Sequence, residues 1–206
     1  AMQQLGPYFF NGFRFLLGAI TLIPVMLVRK TQSSPENLSW KKTIFVGIIA
    51  GSFLFFGATF QQLGLVYTTA GKAGFITGLY VIIVPMMGHF WGDRTSLMTW
   101  SGAILAVIGL YFLSVTSGVE FARGDGFVLL GAFFWAGHVQ LLAKFSPRMD
   151  AIRLSFLQAL FTSLVSFGVG FTLESFDPVG LKAAFWPIIY GGVISIGIAY
   201  TMQVIA

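Results

Sequence analysis

The spacing of the charges constrains this chain more than any other feature. Twelve Lys or Arg and seven Asp or Glu are bunched along 206 residues. Between the bunches lie uncharged runs at 43–71, 73–92, 95–119, 126–143, 154–173 and 183–206. Each is near the ~20 residues that a helix needs to cross hydrocarbon. Residues 7–28 add a seventh run, interrupted only by Arg14. Only 9% of the chain is charged, against roughly 25% in an average soluble domain, and a soluble core cannot hide that much apolar surface. In lipid, backbone polar groups must be satisfied within helices or closed barrels. These runs lack the alternation of barrel strands and are too long for them. The expected fold is all-α, a polytopic membrane helix bundle with about seven transmembrane helices.

Short cytoplasmic loops carry an excess of Lys and Arg. One side of the expected bundle collects Arg29, Lys30, Lys41, Lys42, Arg94, Lys144, Arg148 and Arg153, and the other has Lys72, Arg123 and Lys182. This split places the first set in the cytoplasm, with residue 1 external and residue 206 internal, and it predicts one further span before residue 1. The first run is too long for a signal-peptide core and has no basic region before it. The net charge of +5 follows from this topology rather than from nucleic-acid binding. With no cysteine, disulfides and thiolate metal sites are excluded.

Sliding the chain on itself by 140 residues superposes Phe45 on Phe185, Gly51 on Gly191, Gly57 on Gly197, Phe60 on Tyr200 and Pro7 on Pro147. The matched spans are the second and the seventh, so they run in opposite directions. Weak similarity between oppositely oriented segments marks inverted-repeat carriers, whose substrate site lies near the bilayer midplane.

The stretch Gly64-Leu65-Val66-Tyr67-Thr68-Thr69-Ala70, followed by Ala73, Phe75, Ile76, Thr77, Leu79, Tyr80, Pro85 and Gly92-Asp93-Arg94, resembles the central signature of EamA-type permeases of the drug/metabolite transporter superfamily. Pro7, Phe10, Arg14-Phe15-Leu16-Leu17 and Pro24 are similar to that family's second helix. Trp135-Ala136 resembles the opening helix of its second repeat. Asp93 stands where Glu is commoner. The resemblance implies ten helices in inverted five-helix repeats with both termini cytoplasmic. Residues 1–115 would be the first repeat without its first helix, and 116–206 the second without its last two.

Polar groups at membrane depth are functional candidates by default. Arg14 shares a helix face with Asn11; it either snorkels to the external surface or lines a cavity and holds an anionic group. Thr77 and Tyr80 precede Pro85, which removes a backbone donor and can bend a helix into a gate. Gly74 and Gly78 form a small-x-x-x-small pair suited to close helix packing. Trp135 and His138 share a face fitted to a flat or cationic substrate or to a proton relay, or else His138 bonds a neighbouring helix. Gly57, Gln61 and Gly64 on one span, and Gly197, Tyr200 and Gln203 on its repeat mate, form paired faces that suit either a central cavity or interhelical hydrogen bonds. Gln158 reads as helix-to-helix glue. Lys72 reads as meeting lipid headgroups in preference to an anion.

Three function classes fit a bundle of this kind. The favoured one is a secondary carrier for a small metabolite, amino acid or drug-like molecule, working by alternating access in the bacterial plasma membrane. A channel, or a non-transporting sensor or assembly subunit, is the alternative. An intramembrane enzyme is disfavoured, because the only serine–histidine pairing, Ser195 with His138, lies in no nucleophile motif and every Asp lies in a loop. No cofactor or metal is expected, since His89 and His138 lack ligand spacing. A phosphate loop at Gly71-Lys72 fails, with Val66 and Ala73 at its other positions. The expected partners are a small-molecule substrate, the lipid bilayer and a second copy of the chain in a homodimer.

Overall fold

The computed structural model describes residues 5–28, 39–90, 92, 95–114 and 122–205. Arg29, Lys30, Asp93 and Arg94, which entered the topology and motif readings, lie outside the described residues. Among those described there are helices and turns and no strand. The order is α1 (Pro7–Val28), α2 (Trp40–Leu65), α3 (Ala70–Gly78), α4 (Tyr80–Phe90), α5 (Leu97–Ser114), α6 (Arg123–Phe145) and a 3-10 turn (Ser146–Arg148). Then follow α7 (Ala151–Leu173), α8 (Pro178–Ala183), α9 (Phe185–Ile189), a π-helical segment (Tyr190–Tyr200) and α10 (Thr201–Ile205).

Among the described residues six stretches are long and apolar enough to cross a membrane: Pro7–Val28, Trp40–Leu65, Ala70–Phe90, Arg123–Arg148, Ala151–Leu173 and Phe185–Ile205. The fourth expected span appears as a shorter apolar helix, Leu97–Phe112. The two segments paired by the 140-residue offset differ in form. The first, α2, is an uninterrupted α-helix, whereas the π segment occupies the middle of the second.

Helix starts follow their capping residues. Thr69 accepts the Lys72 N–H at α3, Asp150 those of Ile152 and Arg153 at α7, and Asp177 that of Val179 at α8. Each side-chain oxygen satisfies a donor that the first turn leaves orphaned. α1 is capped from far away in sequence, as both carboxylate oxygens of Glu174 accept, at 3.0 Å, from Tyr8 and Phe9.

Contacts divide the chain into two units, Ala1–Phe55 with Leu141–Ala206, and Phe56–Gln140. In the first, α1 packs along α7 and the π segment. Its core holds Leu5, Phe9, Phe10, Ala184 and Ile188 at one end, where Phe9 meets Phe171 and Phe176 edge-on at 5.2 and 5.4 Å. Val46, Leu142, Met149, Leu154 and Val204 fill the other end. In the second unit α5 packs on α3 and α4, and Phe56, Phe60 and Phe134 stack at 5.1–6.3 Å. Gly124 lies so close to the Gly64 carbonyl that a Cβ would collide with it.

Candidate functional site

In the first unit α1 carries Asn11 and Arg14 about one turn apart on one face. Asn11 is fully buried, and neither Oδ1 nor Nδ2 has a hydrogen-bond partner among the described residues. The Arg14 guanidinium carbon lies 5.5 Å from the Phe10 ring centre and 5.2 Å from that of Phe15, within the ~6 Å reach of cation–π attraction. Its Nε is buried and likewise has no partner among these residues. A buried polar group left in this way costs about 1–3 kcal/mol. Packing alone would be better served by an apolar side chain.

The π segment packs along α1 beside Arg14. Such wide i→i+5 turns are rare and concentrate at functional sites. A Cβ on Gly192 would stand 2.8 Å from Leu17 Cβ and 2.9 Å from the Arg14 carbonyl, so only glycine admits α1 this closely. Gly191 sits beside the Arg14 side chain. Gly197 is buried, Tyr200 half-buried and Gln203 exposed. The wider turn of the π segment enlarges the angular step from Gly197 to Tyr200, and Gln203 follows on α10.

Beside Gln158, read from the sequence as helix-to-helix glue, α7 adds hydroxyl groups that sequence reasoning missed. Ser155, Gln158, Thr162, Ser163 and Ser166 are all buried. The Thr162 hydroxyl donates to the Gly51 carbonyl at 3.0 Å and the Ser163 hydroxyl to the Gly12 carbonyl at 2.9 Å. The spacing 155, 158, 162, 166 is one helix face, a signal present in the sequence but made inconspicuous by small hydroxyl side chains.

In the second unit Gln61 and Thr77 meet, with Gln61 Nε2 donating to Thr77 Oγ1 at 2.9 Å. Trp135 and His138 are buried on α6, the indole of Trp135 lying against Gly57. Tyr80 packs on Ile83, Ala132 and Ala136. Pro85 sits inside α4. The span is also interrupted at Leu79, where bonding tightens to Leu79 N–Ile76 O and Ile82 N–Leu79 O, at 3.2 and 2.9 Å. Gln140 donates at 2.7 Å to the Val84 carbonyl next to the proline. Of the glycine pair, Gly78 abuts Leu110 while Gly74 faces open space.

Lys72 departs from its sequence reading. Its ammonium lies 2.8 Å from Asp125 Oδ2, and Asp125, almost fully buried, also accepts from the Thr68 hydroxyl and the Ala122 N–H. The anion it attracts belongs to its own chain.

A family model described as the EamA-like transporter family matches residues 1–115. The chain belongs to that family. Among curated proteins similar to this EamA chain is an uncharacterized transporter of Archaeoglobus fulgidus. It is 32% identical over 86% of this chain and 53% of its own length. Uncharacterized transporter YoaV of Bacillus subtilis is 20% identical over 98% of this chain and 70% of its own length. The chain spans about half the length of the first curated relatives it matches. A solved crystal structure, 22% identical, covers 98% of this chain and 69% of its own at a TM-score of 0.73, a likeness of fold alone. EamA membership agrees with the signature at Gly64–Pro85 and with the helical, membrane-spanning character.

Proposed function

We propose that this EamA chain forms part of a secondary carrier for a small metabolite, amino acid or drug-like molecule. It works by alternating access between inverted repeats whose boundary falls near residue 115. Asn11 and Arg14 are the substrate-holding groups, and Tyr200 shares their site. Gln61, Thr77, Tyr80, Trp135 and His138 line the path in the second unit, with His138 as a proton-sensitive group. The observation that carries this reading is the buried Asn11 amide on α1, without a partner among the described residues, one turn from the equally unpartnered Arg14 Nε. In an apolar helix such groups default to a substrate path, and Arg14 lies beside a π segment that packs closely on α1 through Gly192. The helix ends bearing Lys41, Lys42, Lys144, Arg148 and Arg153 face the cytoplasm of a bacterial plasma membrane.

The test is growth of bacteria expressing the protein at its full natural length across a panel of toxic amino acids, dyes and quaternary amines. Empty vector and the Tyr80→Ala and His138→Ala variants are the comparisons. Resistance or sensitisation to one class that either substitution abolishes supports the carrier. Growth identical to empty vector on every compound, with the protein present in the membrane, contradicts it.

A further inference from the structure

At one end of the first unit, Lys42, Phe45, Val46, Ile49, Lys144, Phe145 and Arg148 enclose a cavity of about 520 Å³, within the ~300–1,000 Å³ range of small-ligand pockets. Its charge is one-sided. Lys42 and Arg148 are exposed at its mouth, and Lys144, also exposed, lies 6.0 Å from the Phe145 ring. None of the three has an ion pair among the described residues. The described carboxylates are engaged elsewhere: Asp125 with Lys72, Asp150 and Asp177 as helix caps, and Glu174 on α1.

The cavity also changes character along its depth. Lys42, Phe45, Val46 and Ile49 fall on one face of α2, and seven residues at ~1.5 Å each take that face roughly 10 Å from a charged rim to an apolar floor. Beside it the Arg153 guanidinium stacks 5.7 Å from the Trp40 ring. Phe45 and Ile48 continue an exposed apolar surface down the helix.

A free anion needs the cations but not the apolar floor, and an apolar peptide needs the floor but not the cations. We infer that this cavity holds an anionic phospholipid, with its phosphate among Lys42, Lys144 and Arg148 and the start of an acyl chain against Phe45, Val46, Ile49 and Phe145. Basic pockets between membrane helices take anionic headgroups in this manner.

The experiment uses the purified protein at its full natural length in a neutral detergent. Its thermal midpoint is measured with added phosphatidylglycerol, phosphatidylcholine or inorganic phosphate, and bound lipid is counted by native mass spectrometry. Phosphatidylglycerol is expected to raise the midpoint more than phosphatidylcholine does and to survive as a bound adduct. The Lys42→Gln/Lys144→Gln/Arg148→Gln variant is expected to abolish that preference while leaving the phosphatidylcholine value in place. Ile49→Trp, which fills the floor and keeps the charges, is expected to lose the adduct as well. Single Lys→Gln variants, expected to show a graded loss, serve if the triple variant does not fold. Equal response to the two lipids overturns the inference. So does an effect that inorganic phosphate reproduces, or a preference that the charge variants keep.

Discussion

The Lys72 ammonium lies 2.8 Å from the Asp125 carboxylate, with the acid almost fully buried and the lysine partly exposed. Lys72→Met leaves that carboxylate in place without its counter-charge. Breaking a buried pair from one side costs about 3–5 kcal/mol, and the Thr68 and Ala122 hydrogen bonds that remain reduce this to about 2–3 kcal/mol. Adding Asp125→Asn should recover part of the loss, because the amide carries no charge to strand. Chemical unfolding in detergent of the two single variants and the double variant measures this, and a double variant less stable than Lys72→Met contradicts it.

Glu174 caps α1 across 165 residues of sequence. Glu174→Ala removes the acceptor of two backbone N–H groups and should cost about 1–2 kcal/mol, the usual worth of a helix cap. Glu174→Gln keeps one oxygen and should cost less. Thermal unfolding of the three proteins orders them, and equal midpoints would mean that other groups satisfy the first turn of α1.

Two glycine substitutions should diverge. Gly192→Ala drives a methyl into Leu17 and the Arg14 carbonyl, and overpacking of this kind costs about 1–3 kcal/mol. No neighbouring atom stands within 4 Å of a Cβ on Gly74, so Gly74→Ala should be neutral or stabilise α3 by about 0.5–1 kcal/mol through helix propensity. Folded yield and thermal midpoint read both. Equal losses would place α1 and the π segment farther apart than the structure has them.

Fold class was legible because it depends on one crude property, the length of uncharged runs, and the lipid requirement leaves few ways to fold them. The pairing of Gln61 with Thr77 involves two residues that the sequence had already singled out, since polar atoms inside apolar runs must find partners. The Lys72–Asp125 pair was not legible, because the 52 residues between them place no constraint on where the first turns of α3 and α6 meet. The π segment was hidden as well. Face assignments assume an α-helical period, and nothing in Tyr190–Tyr200 except its glycines announces a wider turn. The α7 hydroxyl stripe was readable in spacing, but serine and threonine are too common in apolar helices for the pattern to stand out.

Asn11 and Arg14 carry the central claim, because an amide kept without a partner in an apolar helix is a stability cost that function has to justify. The most direct measurement sets transport against stability in the same preparations. Uptake of the substrate found by the growth panel is followed in proteoliposomes for the full-length protein, Asn11→Leu and Arg14→Gln, alongside their thermal midpoints. Saturable uptake is expected to fall at least about tenfold in both variants, a loss of about 1.4 kcal/mol or more in transition-state binding. The midpoint of Asn11→Leu is expected to be unchanged or higher. Unimpaired uptake in both variants, or a marked drop in the Asn11→Leu midpoint, would contradict the claim and make the pair part of the packing.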